Sequence, residues 1–403
     1  MFSSSLLTRS AQERFYHPEF DLLRCFAFVL IFFHHSLPHD PAFYGNMHIS
    51  FTLARVLAAI GFVGCLGVQL FFLLSAYLVT ELLIRERALR GDIDLKAFYS
   101  RRFLRIWPLY YSFLALAWAM QWFVPGQHIG WRAALAFAFF AGNWWTVFVG
   151  FPSSVIFHLW FISAQEQFYF FWPAIMRKLS GRGIIAAAIA MLATANLTRW
   201  YLAAHYTWES RIWCNSFAQL DSIALGILVA VLLAGRVPRL TSLQRAALFF
   251  GGLVCFFLAT SYFRIKADPL TTTRVVLGYP SAVLGSLFLF LAALRPSPGK
   301  SEGAPYLPQS ADVGGTPPSR SWQWLLSPLA YLGRISFGLY VFHILGLLIS
   351  DHLVAHQDSS LGRYFFREAV AFALAVVFAT ISYFCLEKPF LGLKQRFRRV
   401  PSR

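Results

Sequence analysis

The chain has 403 residues, of which 58% are hydrophobic and only 13% are charged, and it carries a formal net charge of +17. A soluble domain has about 25% charged residues, so this composition argues against a soluble protein and indicates a polytopic membrane protein. The basic residues lie in short segments between apolar runs, which is typical of cytoplasmic loops rather than of a nucleic-acid-binding surface. The expected partner is the lipid bilayer and not nucleic acid. The five cysteines show no metal-ligand spacing, so no metal site is predicted.

The first apolar run, residues 20–37, has about the length of a bilayer-spanning helix but carries ionisable residues. Arg24 and His35 are about 20° apart around a helix and about 16 Å apart along it, whereas His34 falls about 80° from Arg24. Ionisable groups within a span usually face the bundle interior. We interpret the shared face as a functional site with His35 as a candidate general base. The alternatives are an Arg24 side chain that reaches the interface and an interfacial His35.

Ten further apolar runs follow, and the charges of the loops indicate how many of them cross. The basic segment at residues 85–105 and the basic tail are predicted to be cytoplasmic, which requires an even number of spans. We therefore predict an all-α bundle of about ten spans, in which residues 131–149 form a half-span or a re-entrant segment. The basic residues at 264–274 are the exception, because this topology places them outside.

The predicted domain organisation has three parts. Residues 1–19 form a cytoplasmic N-terminal segment, residues 20–390 an integral membrane domain, and residues 391–403 a basic cytoplasmic tail. The membrane domain includes a flexible cytoplasmic loop at residues 295–326, which is rich in proline and glycine.

Glycine recurs at every third position of the second run, at Gly61, Gly64 and Gly67. Such a stripe favours close packing of another helix. A smooth slot for an acyl chain or a pantetheine arm is the alternative.

Two groups of polar residues accompany the third and fifth apolar runs. Arg101, Arg102 and Arg105 are interleaved with aromatic residues and are followed by Tyr110. They form either an ordinary cytoplasmic interface or a site that grips phosphates and stacks on a base. Glu166 lies within an apolar run and needs a partner, for which Arg24 or a histidine is expected. That pair is either structural or orients the catalytic histidine.

Later spans contain further polar residues. Asp221 is a second carboxylate in an apolar run, while Ser336, Tyr340 and His343 share one helix face. Glu387 closes the last run, where we expect it to act as a structural cap.

In their order, these motifs resemble the membrane acyltransferase type 3 family, the polytopic O-acyltransferases of bacterial glycans, Nod factors and macrolides. The resemblance covers essentially the whole chain. Arg24 and His35 fit the Arg-x10-His pattern of the family, and its other motifs resemble residues 64–77, 101–110, 158–169 and 336–343. Ala76, Tyr77 and Phe161 depart from the usual residues of these motifs.

The resemblance implies a multi-pass O-acyltransferase of the bacterial inner membrane, with both termini cytoplasmic. Its donor would be an acyl-CoA, most often acetyl-CoA, and its acceptor a glycan, a lipid-linked sugar or another hydroxylated compound. Direct transfer and an acyl-enzyme relay both remain open, and so do two rival functions, a proton-coupled transporter of a small molecule or lipid-linked sugar and an inactive binding protein. The site residues that we expect are His35, Arg24 and Glu166 for catalysis, Arg101, Arg102, Arg105 and Tyr110 for donor binding, and His158, Trp160, Asp221, Ser336, Tyr340 and His343 for substrate binding.

Overall fold

A computed structural model describes residues 19–206, 210–266, 271–295, 320–354 and 360–394. Much of the predicted N-terminal segment, central loop and basic tail lies outside these residues, at 1–18, 296–319 and 395–403. The described residues contain no β-strand. Their α-helices are α1 Glu19–Ser36, α2 Phe51–Gly64, α3 Gly67–Arg90, α4 Leu95–Met120, α5 Trp131–Ala138, α6 Gly142–Phe148, α7 Trp160–Lys178, α8 Gly181–His205, α9 Ser210–Trp213, α10 Leu220–Leu233, α11 Ser242–Phe257, α12 Thr272–Ala293, α13 Arg320–Arg334, α14 Ser336–Leu353, α15 Leu361–Ser382 and α16 Lys388–Lys394.

The lengths of these helices match a membrane-spanning bundle. In the described ranges, six helical stretches are long and apolar enough to cross a bilayer: Phe51–Arg90, Gly181–His205, Ser242–Tyr262, Thr272–Ala293, Ser336–Leu353 and Leu361–Leu393. Helices α1, α4 and α7 have 18, 26 and 19 residues, close to or above the length that a hydrocarbon core of about 30 Å requires. The apolar stretch Phe217–Leu233 is slightly shorter. The predicted all-α polytopic bundle is therefore confirmed.

Helix α1 is surrounded by other helices and contacts α2, α3, α12, α13 and α14. The glycine stripe explains its close contact with α2 and α3. A Cβ atom added at Gly61, Gly64 or Gly67 would overlap a backbone carbonyl oxygen of α1 or of the residue after it. The prediction of close helix packing is thus right, and α1 occupies the face that the alternative reserved for an acyl chain.

The segment predicted as a half-span is broken into the short helices α5 and α6. They have 8 and 7 residues, so each is only about 12 Å long or less. Between them Phe140 adopts a left-handed conformation with φ 53°. Gln167 of α7 donates hydrogen bonds of 2.8 Å to the Phe140 carbonyl and to Asn143 Oδ1, which anchors this break to a long helix.

Helix α13 begins at Arg320, within the predicted loop at residues 295–326. The loop prediction is therefore wrong for residues 320–326. No glycine or proline interrupts the sequence between Pro318 and Pro328, so nothing prevents helix formation there. Toward its end, Gly333 packs against the backbone of Asp21, where a Cβ atom would overlap the carbonyl oxygen. The helix therefore packs closely against α1.

Candidate active site

Three histidines that are distant in sequence meet inside the bundle. The ring centroids of His35 and His343 are 5.0 Å apart, and those of His158 and His343 are 4.9 Å apart. His158 and His343 are buried, whereas His35 is partly exposed. The Tyr340 hydroxyl donates a hydrogen bond to the His158 carbonyl. The structure therefore brings together four of the predicted site residues.

The hydrogen bonds of these rings define which nitrogens carry protons when the rings are neutral. His343 Nδ1 lies 2.7 Å from the Tyr340 carbonyl, and a carbonyl only accepts, so Nδ1 carries the proton and Nε2 carries a lone pair. His35 Nδ1 lies 3.0 Å from the Ile31 carbonyl and 3.2 Å from His343 Nε2. It therefore donates to both acceptors. The Nε2 atom of His35 is left with a lone pair and has no hydrogen-bond partner among the described residues.

The neighbouring His34 is arranged differently. Its Nδ1 donates to the Gly61 carbonyl at 3.0 Å, and its Nε2 lies 3.2 Å from Lys266 Nζ, a donor. Lys266 also lies 4.7 Å above the ring of Trp213. Both nitrogens of His34 are thus engaged, which supports His35 and not His34 as the candidate base.

A cavity of about 490 Å³ opens beside His35. Its size falls within the range of small-molecule sites. Its lining combines apolar side chains with polar ones, among which Asp351, Arg367 and Glu368 are charged. The lining residues are His35, Ser36, Gln127, Pro152, Ser153, Ser154, Val155, Phe157, Ile344, Leu347, Leu348, Asp351, Arg367 and Glu368.

At the opposite end of α1, Arg24 lies near Arg102 and Arg105, and we call these three residues the arginine cluster. Arg105 is close enough to both of the others for an electrostatic interaction. Arg24 forms a 2.8 Å ion pair with Asp21 and keeps 20% of its side chain exposed. Arg102 lies 4.2 Å above the ring of Tyr169. Among the described residues, Arg102 and Arg105 form no hydrogen bond or ion pair, so their guanidinium donors are available to an anion.

Other arginines of the same region are engaged in the structure. Arg101, predicted to act with Arg102 and Arg105, forms a 3.1 Å ion pair with the buried Glu86. Arg87 donates to backbone carbonyls at the end of α7, where a helix leaves such groups without internal partners. Arg101 therefore differs from Arg102 and Arg105 in having a buried carboxylate partner, although it lies within electrostatic reach of Arg102.

Glu166 has a different partner from the one predicted. Its Oε2 accepts a 3.1 Å hydrogen bond from Trp107 Nε1, whereas Arg24 or a histidine was expected. That expectation is wrong because a neutral indole donor of α4 occupies the position. The other carboxylate oxygen is buried and has no hydrogen-bond partner among the described residues. Arg102 lies within electrostatic reach of Glu166, which therefore adjoins the arginine cluster rather than His35.

Two further predicted residues have structural partners. Asp221 forms a 2.6 Å ion pair with Arg199, and both side chains are buried. The Tyr110 hydroxyl donates a 2.8 Å hydrogen bond to the Phe137 carbonyl at the end of α5. Both contacts join separate elements of the bundle, α8 to α10 and α4 to α5.

Trp160 and Ser336 begin α7 and α14, and both are buried. The Trp160 ring packs 6.2 Å from Trp213, the residue that also contacts Lys266. Trp160 and the lysine that engages His34 therefore both contact Trp213.

The sequence analysis missed four contributors to these sites. Lys266 gave a signal, because it belongs to the basic segment that did not fit the predicted topology. Arg199 also gave a signal, because it is an ionisable residue within an apolar run. Nothing in the sequence indicated the partners of Trp107 and Glu368. Their importance is visible only in their contacts with residues far away in sequence.

Comparisons with known proteins agree with the motif order. The family described as an acyltransferase domain, acyltransferase 3, matches residues 17–386. A peptidoglycan O-acetyltransferase of Listeria monocytogenes, OatA, is 24% identical over 94% of this chain and 56% of its own length. YrhL of Bacillus subtilis, provisionally named a peptidoglycan O-acetyltransferase, is 23% identical over 96% of this chain and 57% of its own.

An O-acetyltransferase of Staphylococcus aureus, also provisionally named, is 24% identical over 81% of this chain and 52% of its own length. The chain thus spans about half the length of the curated relatives it matches. No solved structure gives a significant match. The family match covers nearly the whole chain, and the chain therefore belongs to the acyltransferase type 3 family.

Proposed function

We propose that the protein transfers an acetyl group from acetyl-CoA to a hydroxyl group of a glycan, with His35 as the general base. The observation that carries the proposal is the arrangement of α1. Its first turns hold Arg24 in the arginine cluster, and its last turn holds His35 beside a cavity. One rigid helix thus joins a cationic site to a site with a free imidazole lone pair.

The arginine cluster suits the donor. Acetyl-CoA carries several phosphate groups, and guanidinium groups bind phosphates through charge-assisted hydrogen bonds. Arg102 and Arg105 have unengaged donors, and Arg24 lies beside them. The exposed aromatic side chain of Phe103 offers a neighbouring surface for a base. The basic segment at residues 85–105 supports a cytoplasmic location for this end.

His35 supports the chemical step. Its Nε2 accepts the proton of the acceptor hydroxyl while the oxygen attacks the thioester carbonyl carbon. The carbon–sulfur bond then breaks, and the CoA thiolate leaves and takes the proton from His35. A positioned base of this kind contributes about 10²- to 10⁴-fold to a rate. The hydrogen bonds to the Ile31 carbonyl and to His343 keep Nδ1 protonated, so that Nε2 is the nitrogen that accepts the proton.

The names of the relatives support a glycan as the acceptor, because two of them refer to peptidoglycan. The cavity lies at the end of α1 opposite the arginine cluster, which supports acceptor entry from the outer face of a bacterial inner membrane. Both termini would then be cytoplasmic. The acyl group would travel along α1, about 16 Å from Arg24 to His35.

The test uses the full chain purified in nanodiscs. Acetyl-CoA is added with and without a glycan acceptor, either an oligomer of N-acetylglucosamine or peptidoglycan fragments, and both CoA release and acetylation of the acceptor are followed. The variants are His35→Ala and, as a matched control, His205→Ala at the exposed end of α8. We expect acceptor-dependent release by the wild type and the control, and a loss of at least 100-fold in His35→Ala with acetyl-CoA binding retained.

A wild-type protein that binds no acetyl-CoA and acetylates no acceptor would contradict the proposal. Flux of a labelled lipid-linked sugar or small molecule across proteoliposomes, driven by a proton gradient, would then favour a transporter.

A further inference from the structure

The cavity beside His35 is lined by buried polar oxygens that no described residue satisfies. The side-chain hydroxyls of Ser36 and Ser154 and the Oε2 atom of Glu368 are buried and have no hydrogen-bond partner among the described residues. All three residues line the cavity. Leaving such groups unpaired is unfavourable. Three of them around one space indicate an occupant that supplies several hydrogen-bond donors.

The charged residues of the cavity restrict the charge of that occupant. Arg367 Nη1 donates to Asp351 at 3.0 Å, while its Nη2 and Nε donate to one oxygen of Glu368 at 2.9 and 3.1 Å. Two carboxylates therefore surround one guanidinium. These three groups together carry a formal charge of −1, and their guanidinium is held by bonds inside the protein, so they disfavour an anionic ligand rather than binding it.

The remaining lining of the cavity is partly apolar and includes an aromatic ring. Phe157 lies beside His35 with ring centroids 5.7 Å apart, and Ile344, Leu347 and Leu348 of α14 also line the cavity. A sugar ring has hydroxyl groups at its edge and C–H groups on its faces, so one ligand satisfies both kinds of lining. The volume of about 490 Å³ suits a ligand of this class.

We propose that this cavity is the acceptor site and that the charged residues Glu368, Arg367 and Asp351 select an uncharged, hydroxyl-rich sugar over an anionic one. The inference rests on the proposed transfer reaction, because it assigns the second substrate of that reaction. Glu368 accepts a hydrogen bond from a sugar hydroxyl, Ser36 and Ser154 bind neighbouring hydroxyls, and the hydroxyl that reacts points to His35.

The experiment measures acceptor binding and transfer separately in the nanodisc-embedded full chain. The probes are a neutral oligomer of N-acetylglucosamine and an anionic oligogalacturonate. The variants are Glu368→Gln, which removes the charge and keeps the size, and Ser154→Ala, which removes one hydroxyl. Asp92→Asn, in the exposed loop after α3, is the control for the loss of a carboxylate.

We expect Glu368→Gln to raise the KM for the neutral acceptor at least fivefold and to shift the ratio of anionic to neutral transfer at least tenfold toward the anionic oligomer. Ser154→Ala is expected to raise the KM for the neutral acceptor several-fold. Neither variant is expected to change the KM for acetyl-CoA, which also reports that the variants are folded. Unchanged acceptor KM values and an unchanged ratio in both variants would overturn the inference.

Saturation-transfer NMR without acetyl-CoA separates this inference from the proposed function. Binding of the neutral oligomer that Glu368→Gln weakens supports the acceptor site even if no CoA is released. The other outcome is that the wild type transfers acetyl groups, that neither variant affects this transfer, and that all variants bind the oligomer equally. That outcome would rule out this cavity as the acceptor site but would leave the proposed transfer in place.

Discussion

His35 donates a hydrogen bond across 3.2 Å to Nε2 of His343, a residue 308 positions later in the chain. His343 is itself oriented by the Tyr340 carbonyl. In the proposed reaction, this second imidazole would orient His35 in the place that a carboxylate occupies in many catalytic sites.

The first prediction follows from this pair. His343→Phe removes one of the two acceptors of the Nδ1 proton but fills similar space, so His35 keeps its tautomer through the Ile31 carbonyl and loses the partner that orients its ring. We expect kcat to fall about 10²-fold or more, within the range of a general-base contribution, with little change in acetyl-CoA affinity. His343→Gln, whose amide oxygen accepts a hydrogen bond, is expected to recover part of the rate. Equal rates in the two variants would contradict an orienting role, and stopped-flow CoA release measures both.

The arginine cluster gives the second prediction. Arg102→Gln and Arg105→Gln each remove a charged donor whose hydrogen bond to phosphate contributes about 1.5–3 kcal/mol, so the KM for acetyl-CoA should rise about 10- to 100-fold. Arg177→Gln is the matched control, because this exposed arginine pairs with Asp92. An unchanged KM in both cluster variants would place the donor elsewhere.

Arg101 is expected to behave differently from its neighbours. Because its partner Glu86 is buried, Arg101→Gln leaves a carboxylate without its cation. We therefore expect a lower thermal-unfolding midpoint with a KM for acetyl-CoA close to that of the wild type. A large rise in this KM with unchanged stability would instead indicate that Arg101 binds the donor.

The buried pair of Arg199 and Asp221 supplies a prediction about stability. Arg199→Met removes one partner of an ion pair between two buried side chains, which is expected to cost about 3–5 kcal/mol. The double variant Arg199→Met with Asp221→Leu removes both charges and should recover much of the loss. Unfolding midpoints in nanodiscs measure both, and a double variant no more stable than the single one would argue against the pair as the cause.

Packing of α1 can be tested at its glycine contacts. Gly64→Val inserts a side chain against the Leu30 carbonyl, so we expect a loss of about 1–3 kcal/mol or more and reduced activity, because α1 must shift. Gly45→Ala is the control, since no atom lies within 4 Å of the added Cβ. A fully stable and active Gly64→Val variant would contradict the close contact.

Periodicity in the sequence was sufficient to predict the helical bundle, the shared face of Arg24 and His35, and the close packing at the glycine stripe. These features depend on residues a few turns apart, where helix geometry determines the direction of each side chain. The break at Phe140 could also be anticipated, because a full crossing by residues 131–149 did not fit an even number of spans.

The partners of the buried charges could not be predicted in this way. An apolar run shows that Glu166 and Asp221 need partners, but not which distant helix supplies them. We expected Arg24 or a histidine for Glu166, and the structure provides the indole of Trp107 as its hydrogen-bond donor. For Asp221 the cation is Arg199, on a neighbouring helix. Such pairings depend on helix packing, which periodicity within one segment does not encode.

In the proposed reaction, the length of helix α1 would set the distance between the donor site and the base. One residue inserted between Arg24 and His35 would turn His35 by about 100° relative to the arginine cluster and lengthen the separation by about 1.5 Å. A full turn of about four residues would restore the face but add about 5–6 Å to the path of the acyl group. Since neighbouring helices pack directly on the backbone of α1, the helix has little freedom to absorb either change. The length of this single segment therefore sets the reach that the donor arm must have.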